Sequence, residues 1–200
     1  MLNHKGTTEL NTERLLLRRL ELSDAAAIHI NWGSDSEVYR YMTSPIMPTI
    51  PDVVRFLHAK EVSYQEKDYY YWGIFLKSEP ESGCIGMVTL TEVSDFSRTA
   101  NLAYSLGRPW WRQGIATEAA FAVCSFAFEM IGFHKLYGCH FTENERSGRV
   151  LLKVGMKYQG RGTNSVLHDG RYLTYENYEI TRHEWRQNQR NRAAGSRYGV

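Results

Sequence analysis

The feature that most constrains the fold is a long apolar segment in the second half of the chain. Residues Thr117 to Met130 are mostly Ala, Phe, Val and Cys, and the segment is too long for a strand. A helix that is apolar nearly all round must be covered by other elements on most of its surface. The sequence therefore predicts that this helix is central to the domain.

Segments rich in β-branched and aromatic residues lie on both sides of this helix along the chain. The predicted strands are Glu13 to Leu20, Tyr69 to Lys77, Cys84 to Val93, Thr99 to Leu106, Lys135 to Thr142, Val166 to His168 and Arg171 to Thr181. The polar loop 78–83 and the pair Asp169 and Gly170 are typical of hairpin connections. The three consecutive strands that precede the central helix predict an antiparallel meander.

Further helices are indicated by caps and apolar spacing. They are a short helix after Ser23 or Asp24 through Ala25, Ile28 and Trp32, a helix from Pro51 with Val53, Val54, Leu57 and Val62 in one stripe, and Asn144 to Val154 with Gly155 as its stop. Met156 to Gly160 is interpreted as a turn region. The order β-α-α-β-β-β-α-β-α-β-β predicts an α+β or mixed α/β domain.

The chain length of 200 residues and 42% hydrophobic content suit one well-buried core. We expect a single domain over residues 1–185 and a basic C-terminal tail over residues 186–200. That tail holds Arg186, Arg190, Arg192 and Arg197 and no acid. Without these four arginines the chain has 20 basic and 22 acidic residues, which argues against a nucleic-acid surface spread over the domain.

Cysteine usage and the N-terminus predict a reduced, cytoplasmic compartment. Cys84, Cys124 and Cys139 are far apart, and no secretory signal pattern opens the chain. No apolar segment approaches the roughly 20 residues that cross a bilayer, so no membrane partner is expected. Cys124 lies in the apolar helix and is expected to be inert packing.

The segment that leads into the central helix indicates a phosphate site. Residues 107–120 read GRPWWRQGIATEAA, which predicts a strand end, a tight turn and a helix start. The small residues Gly114 and Ala116 let a ligand approach main-chain N–H groups, and the first helical turn leaves its donors unpaired. Such a turn can bind a diphosphate, and Arg112 is placed to add a charge contact. No Gly-Lys-Ser/Thr follows, which excludes a P-loop.

This segment resembles the acetyl-CoA pyrophosphate signature of the GNAT superfamily, Gln/Arg-x-x-Gly-x-Gly/Ala, with Trp111 in the first position. Other segments resemble its RimJ/RimL branch of ribosomal-protein N-terminal acetyltransferases in the same order along the chain, over roughly Thr12 to Trp185. They are residues 12–15 (TERL), 85–86 (IG), 103–107 (AYSLG) and 126–129 (FAFE), then Asn144 with Ser147, and 154–156 (VGM) with Gly160.

The resemblance implies a GNAT fold, in which a central twisted, mostly antiparallel sheet is splayed in its middle and flanked by helices. It implies that acetyl-CoA (coenzyme A) lies along the free strand edge, Tyr104 to Arg108, and on the turn. The implied cofactor-binding residues are Leu106, Gly107, Arg108, Trp111, Arg112, Gln113, Gly114, Ile115, Ala116, Thr117, Asn144 and Ser147. Asn144 would contact the pantetheine, although it also suits an ordinary N-cap. A homodimer is an expectation from the family alone.

The catalytic residues implied for acyl transfer are Ser147, Tyr104 and Glu92. Ser147 would donate a proton or hydrogen bond to the departing thiolate. Many relatives carry Glu where Asn101 stands and Asp where Thr174 stands, and neither Asn nor Thr can take a proton from the amine. Glu92 and Tyr104 are therefore the candidates for the base, and a strand-surface Glu and a core Tyr are the alternative interpretations.

We expect transfer of acetyl to a primary amine, with a protein N-terminal amine as the leading acceptor. The alternatives are a small-molecule amine (an antibiotic, polyamine or amino acid) and a non-catalytic acyl-CoA-binding module. The aromatic clusters 39–42 (YRYM) and 69–72 (YYYW) are candidate walls of the acceptor pocket. The histidines lack metal-ligand spacing, so no metal is expected, and no Gly-x-Ser-x-Gly motif indicates a serine hydrolase.

Overall fold

The computed structural model describes residues 1–168 and 171–196, so the predicted Asp169-Gly170 turn lies outside the described residues. The strands are β1 (Leu10–Asn11), β2 (Leu15–Arg18), β3 (Tyr70–Leu76), β4 (Gly86–Ser94), β5 (Thr99–Leu106), β6 (Lys135–Phe141), β7 (Lys157–His168) and β8 (Arg171–Thr181). The helices are α1 (Ala25–Ile28), α2 (Ser36–Tyr39), α3 (Ile50–Ser63), α4 (Ile115–Ser125), α5 (Glu145–Val154) and α6 (Arg182–Ser196). The π-helical segments His29–Gly33 and Phe126–Ile131 continue α1 and α4.

All described strands belong to one sheet with the order β1-β2-β3-β4-β5-β6-β8-β7. Neighbouring strands are antiparallel except β5 and β6, which are parallel and pair only at Thr99–Lys135, Ala100–Leu136 and Asn101–Tyr137. Both strands continue well past these pairs without pairing to each other. The predicted mostly antiparallel sheet that splays in its middle is therefore confirmed.

Helix α4 lies in the main core, against one face of the sheet, as the apolar segment predicted. Ala119, Ala120, Val123 and Cys124 are fully buried. Burial also raises the pKa of the Cys124 thiol, which agrees with inert packing. The helix begins at Ile115 rather than near Thr117 because Gly114, in a left-handed conformation with φ +78°, occupies the N-cap position.

Helices α1 and α3 pack on the opposite face of the sheet, in a second apolar cluster. Val53 and Leu57 are buried as predicted, but Val62 is 73% exposed, so its place in the apolar stripe was wrong. Val62 follows Val53 by nine residues, which at 100° per residue puts it on the opposite side of the helix. Tyr64, one residue past the end of α3, is buried instead.

The C-terminal part of the chain differs from the prediction in two places. Residues 157–160 belong to β7, so the predicted turn at Met156 to Gly160 was wrong: Gly160, at φ +120°, lies at a bulge where the register against β8 shifts. The predicted boundary after residue 185 falls inside α6. Trp185, 1% exposed, anchors this helix between Phe121 and Phe128, at ring-centroid distances of 4.7 and 5.6 Å.

Within residues 1–168 and 171–196, no helix is both long enough and apolar enough to cross a membrane.

Candidate active site

The turn between β5 and α4 presents a row of main-chain donors. The N–H groups of residues 112–117 have no acceptor among the described residues, and the next N–H, that of Glu118, is bonded to Gly114 O at 3.0 Å. Arg112 and Gly114 both have positive φ, +64° and +78°, and this backbone geometry turns the chain into the helix. Arg112, Gln113 and Gly114 are exposed. Free, exposed donors at a helix N-terminus form an anion site.

The turn is held from outside by Arg14, whose role the sequence did not indicate. Its Nη1 donates to Gln113 O at 3.0 Å and its Nε to the Glu118 carboxylate at 2.6 Å. The same carboxylate accepts the Arg14 N–H at 3.0 Å and the Thr12 hydroxyl at 2.6 Å. Although burial acts to raise it, these hydrogen bonds and the arginine charge lower the pKa of Glu118. The N-terminal segment thereby fixes the shape of the turn.

The splay leaves one edge of β5 open beyond Asn101. Gly107 N–H is bonded to Ile85 O at 2.9 Å, and hydrogen-bonding direction alternates along a strand. The main-chain groups of Leu102, Tyr104 and Leu106 therefore face away from β4, toward the gap before β6. Trp111 Nε1 donates a hydrogen bond to the Leu106 carbonyl at 2.6 Å, which connects the turn to the end of this edge. The edge thus leads from the splay to the turn.

A cavity of about 1880 Å³ joins the turn, the splay and the loops around α2 and α3. The part lined by Trp111, residues 114–117, β5 and the first turns of α5 is called here the cofactor half. The part lined by residues 37–47, by α3 and by Tyr71 and Thr89 is called the acceptor half. The predicted cluster 39–42 and Tyr71 of the cluster 69–72 line the acceptor half, whereas Tyr70 and Trp72 are buried in the main core.

Two predicted residues meet in the cofactor half. The Tyr104 hydroxyl donates to the Ser147 carbonyl at 2.7 Å and lies 3.0 Å from Ser147 Oγ. Burial raises the pKa of Tyr104, so this phenol keeps its proton and cannot serve as a base near neutral pH. Asn144 is the N-cap residue of α5, yet its side chain makes no capping hydrogen bond. Asn144 also lines the cavity, so it holds the N-cap position while its carboxamide is not used as a cap.

Glu92 and Asn101 lie in the cavity wall where β5 and β6 separate. Glu92 has φ +51° and lies where the register between β4 and β5 shifts, between Thr91 and Ser94. Its carboxylate has no hydrogen-bond partner within the described part of the chain. Burial, together with the charge of Glu92, raises the pKa of the Cys139 thiol. Asn101 Nδ2 donates to Thr91 Oγ1 at 3.3 Å. Glu92 is thus an exposed carboxylate in the cavity wall, which fits a strand-surface Glu as well as the predicted base.

Three predicted cofactor residues do not line the cavity: Gly107, Arg108 and Gln113. Gly107 is buried, its N–H is used by Ile85, and Asn31 O lies 2.4 Å from where its Cβ would be. The Arg108 guanidinium is bonded to Asp35 at 2.5 Å, and the Gln113 side chain to Pro109 O at 2.8 Å. The other predicted cofactor residues all line the cavity: Leu106, Trp111, Arg112, Gly114, Ile115, Ala116, Thr117, Asn144 and Ser147. Nine of the twelve predicted cofactor residues therefore line the cavity.

Comparison with known proteins gives one consistent family. Residues 14–157 match the family described as acetyltransferase (GNAT) domain. The uncharacterized N-acetyltransferase YoaA of Bacillus subtilis is 33% identical over 151 residues, which cover 76% of this chain and 84% of that protein. The [ribosomal protein uS5]-alanine N-acetyltransferase of Escherichia coli is 25% identical over 123 residues, 61% of this chain and 62% of that protein.

Solved structures show the same fold. A GNAT-family acetyltransferase from Bacillus anthracis superposes with a TM-score of 0.76 at 23% identity, over 88% of this chain and 99% of that one. The Microcin C7 self immunity acetyltransferase MccE, solved in complex with acetyl-CoA and AMP, gives a TM-score of 0.75 at 18% identity, over 85% of this chain and 93% of that one.

Proposed function

This chain belongs to the GNAT acetyltransferase family, and we propose that it transfers the acetyl group of acetyl-CoA to the terminal amine of a peptide or protein, by direct attack in a ternary complex. The observation that carries this proposal is the row of free N–H groups at residues 112–117, next to an open strand edge and a wide cavity. The residues fit the cofactor: free donors for a diphosphate, and the main chain of Leu102 and Tyr104, with the N–H of Leu106, for the amides of the pantetheine arm.

Few residues are needed for the proposed acetyl transfer. When bound, acetyl-CoA would supply an activated acyl carbonyl, and a β5 main-chain N–H at the splay would donate to its oxygen. An amine attacks only when neutral, and Glu92 is the group that takes its proton, directly or through water. The hydroxyls of Tyr104 and Ser147, which are in contact, would supply a hydrogen bond to the departing thiolate. A thiolate is a stable leaving group, so a hydrogen bond from this pair suffices.

The shape and charge of the acceptor half favour a peptide over a small polycation. The half is wide, and the groups that line it include Arg40, Arg55 and Lys60 as well as acids, so it is not a closed acidic pocket. A polyamine would require an excess of carboxylates. The uS5-alanine N-acetyltransferase among the relatives acts on a protein alanine by its name, which agrees with this choice.

Mass-spectrometric transfer assays test the proposal. The panel contains peptides with free N-termini, the same peptides with blocked N-termini and an internal Lys, spermidine, and single amino acids. We expect transfer to the free N-termini only. Preferred transfer to spermidine or to single amino acids would overturn the proposed acceptor. Tight acetyl-CoA binding without transfer to any amine would identify a non-catalytic binding module. Cytoplasmic location and dimerisation stay predictions.

A further inference from the structure

Lys60 occupies an unusual position in the acceptor half of the cavity. Its ammonium lies 4.3 Å from the centroid of the Tyr71 ring, 4.9 Å from that of Phe56 and 5.5 Å from that of Tyr69. The side chain is half-buried, and burial lowers its pKa. The three rings attract the cation and fix its place, but they offer no good acceptor for its three N–H donors.

The charges near Lys60 leave it without a partner among the described residues. In the cavity wall Arg55 pairs with Asp52, and Arg40 pairs with Glu37 at 3.7 Å. On the outer side of α3, His58 pairs with Glu61 at 3.5 Å and does not line the cavity. No carboxylate or carbonyl among the residues that the structure describes accepts a bond from the Lys60 ammonium. The acceptor half thus presents a fixed cation with unused donors.

Sheet register gives the separation between β5 and the strand that carries Tyr71, the ring beneath this cation. Ala103 pairs with Thr89, and Thr89 pairs with Tyr71, so Tyr71 lies two strands away from β5 on the same face. Two strand spacings amount to about 10 Å. An extended peptide covers this distance in about three residues. A group bound to Lys60 would therefore belong to the first few residues of an acceptor whose amine lies at β5.

We infer that the acceptor carries a carboxylate about 10 Å from its reactive amine, and that the Lys60 ammonium binds it. This inference rests on the proposed function. Two sources provide this chemistry: an Asp or Glu side chain at the second or third residue of a protein N-terminus, and the C-terminal carboxylate of a di- or tripeptide. Glu92, on β4 between the strand of Tyr71 and β5, is left for the amine, so one acceptor carries both charges that the site complements.

Matched peptides test the inference. The first pair is an octapeptide with Glu at position three and the same peptide with Gln there. The second pair is Ala-Ala-Ala as the free acid and as the C-terminal amide. We expect the charged member of at least one pair to have a kcat/KM about tenfold higher, through KM, and the pair that shows it identifies the source of the carboxylate.

Variants at Lys60 distinguish a binding role from a packing role. Lys60→Met keeps the chain between the rings, so it should remove the preference by lowering kcat/KM for the charged peptide to that for the neutral one. Lys60→Glu should transfer the preference to a peptide with Lys at position three. Lys67→Met, an exposed lysine outside the cavity, should behave as wild type.

Each outcome decides a different claim. Equal kcat/KM values within both pairs for the wild type would overturn this inference and leave the proposed function intact. An unchanged preference in Lys60→Met, with normal acetyl-CoA binding, would overturn it as well. Absence of transfer to every peptide would overturn the proposed function and this inference with it.

Discussion

The hydroxyl of Tyr104 on β5 donates to the main-chain carbonyl of Ser147 on α5 at 2.7 Å, and it lies 3.0 Å from Ser147 Oγ. A phenol has one proton, so with that proton on the carbonyl the Ser147 hydroxyl is the donor in the second contact. The two residues lie on opposite sides of the splay, since α5 packs against β6, with Gly148 next to His140. This pair therefore bridges the gap, and the Ser147 hydroxyl would turn away from Tyr104 to donate to a departing thiolate.

Removing either hydroxyl should slow acyl transfer. Tyr104→Phe is expected to lower kcat about 10- to 100-fold, near the lower end for a general acid because a thiolate leaves readily. Ser147→Ala should have a similar effect, and the double variant should be little worse than either single one, because the two hydroxyls share one hydrogen bond. Single-turnover kinetics measures this, with acetyl-CoA affinity as the control. Strict additivity of the two effects would contradict a shared role.

The raised pKa of Tyr104 also fixes a pH dependence. A phenol whose pKa is raised stays protonated above its ordinary value of 10.0, so its ionisation should cause no fall in kcat between pH 7 and about 10. Wild type and Tyr104→Phe should consequently have parallel kcat profiles over this range. An alkaline loss of activity that is present in the wild type and absent in the variant would show that the phenol ionises there.

Gly114→Asp should abolish acetyl-CoA binding while the fold is retained. The new carboxylate would lie among the free N–H groups of residues 112–117 and repel a diphosphate. The cost in stability is that of a left-handed residue, about 1–2 kcal/mol, because only Arg14 lies near the new Cβ, at 3.5 Å. Gly132→Asp is the matched control: it has φ +93°, open space around its Cβ and no place in the cavity. Calorimetric titration that gives equal affinity for both variants would refute the phosphate site.

Glu118→Gln should weaken both the fold and the turn. The carboxylate accepts three hydrogen bonds, two of them from Arg14, so its loss should cost about 2 kcal/mol at pH 7 and raise the KM for acetyl-CoA. Its pKa is lowered in the folded protein, so this stability is present above the ordinary value of 4.5 and is lost as pH falls through the folded value. Denaturant unfolding at pH 7 and pH 3 measures it, with the exposed Glu13→Gln as the control. A stability difference that is as large at pH 3 as at pH 7 would contradict the assignment.

Trp185→Ala should destabilise the whole domain by about 3–5 kcal/mol. The indole is 1% exposed and packs on Phe121 and Phe128, beside the central helix. Arg186→Ala removes only an exposed pair with Glu129 and should leave the melting temperature almost unchanged. Thermal unfolding of both variants measures the difference. Equal melting temperatures would show that α6 adds nothing to the core.

Much of the fold could be predicted because local patterns and tertiary packing agree. The segment 117–130 is apolar nearly all round and is mostly buried as far as Phe128, and β5 was predicted with the bounds that it has. The turn could be predicted as well, since Gly114 fits a left-handed residue before a helix. The errors arose where a residue type suits more than one structural position. Gly160 indicated a turn but lies at a bulge, and Val62 has the chemistry of a core residue at the wrong helical angle.

The parts of the site that could not be predicted depend on contacts between distant segments. The bond from Arg14 to Glu118 joins residues 104 positions apart, and neither residue alone differs from an ordinary surface charge. Lys60 on α3 similarly differs from an ordinary surface lysine only through its contact with the Tyr71 ring, which lies on β3. Local pattern gave no reason to exclude Arg108 from the cofactor site, because its partner Asp35 lies far earlier in the chain.

The short pairing between β5 and β6 has a consequence for how this protein avoids unwanted association. Free strand edges usually invite neighbouring chains to add a strand, and they do so at the rim of a sheet. Here the open edge lies in the interior of the sheet, enclosed by β6 and α5. A slender extended ligand can enter that slot, whereas a second sheet is too thick to do so. The chain thereby keeps a hydrogen-bonding edge available for chemistry while it denies that edge to aggregation.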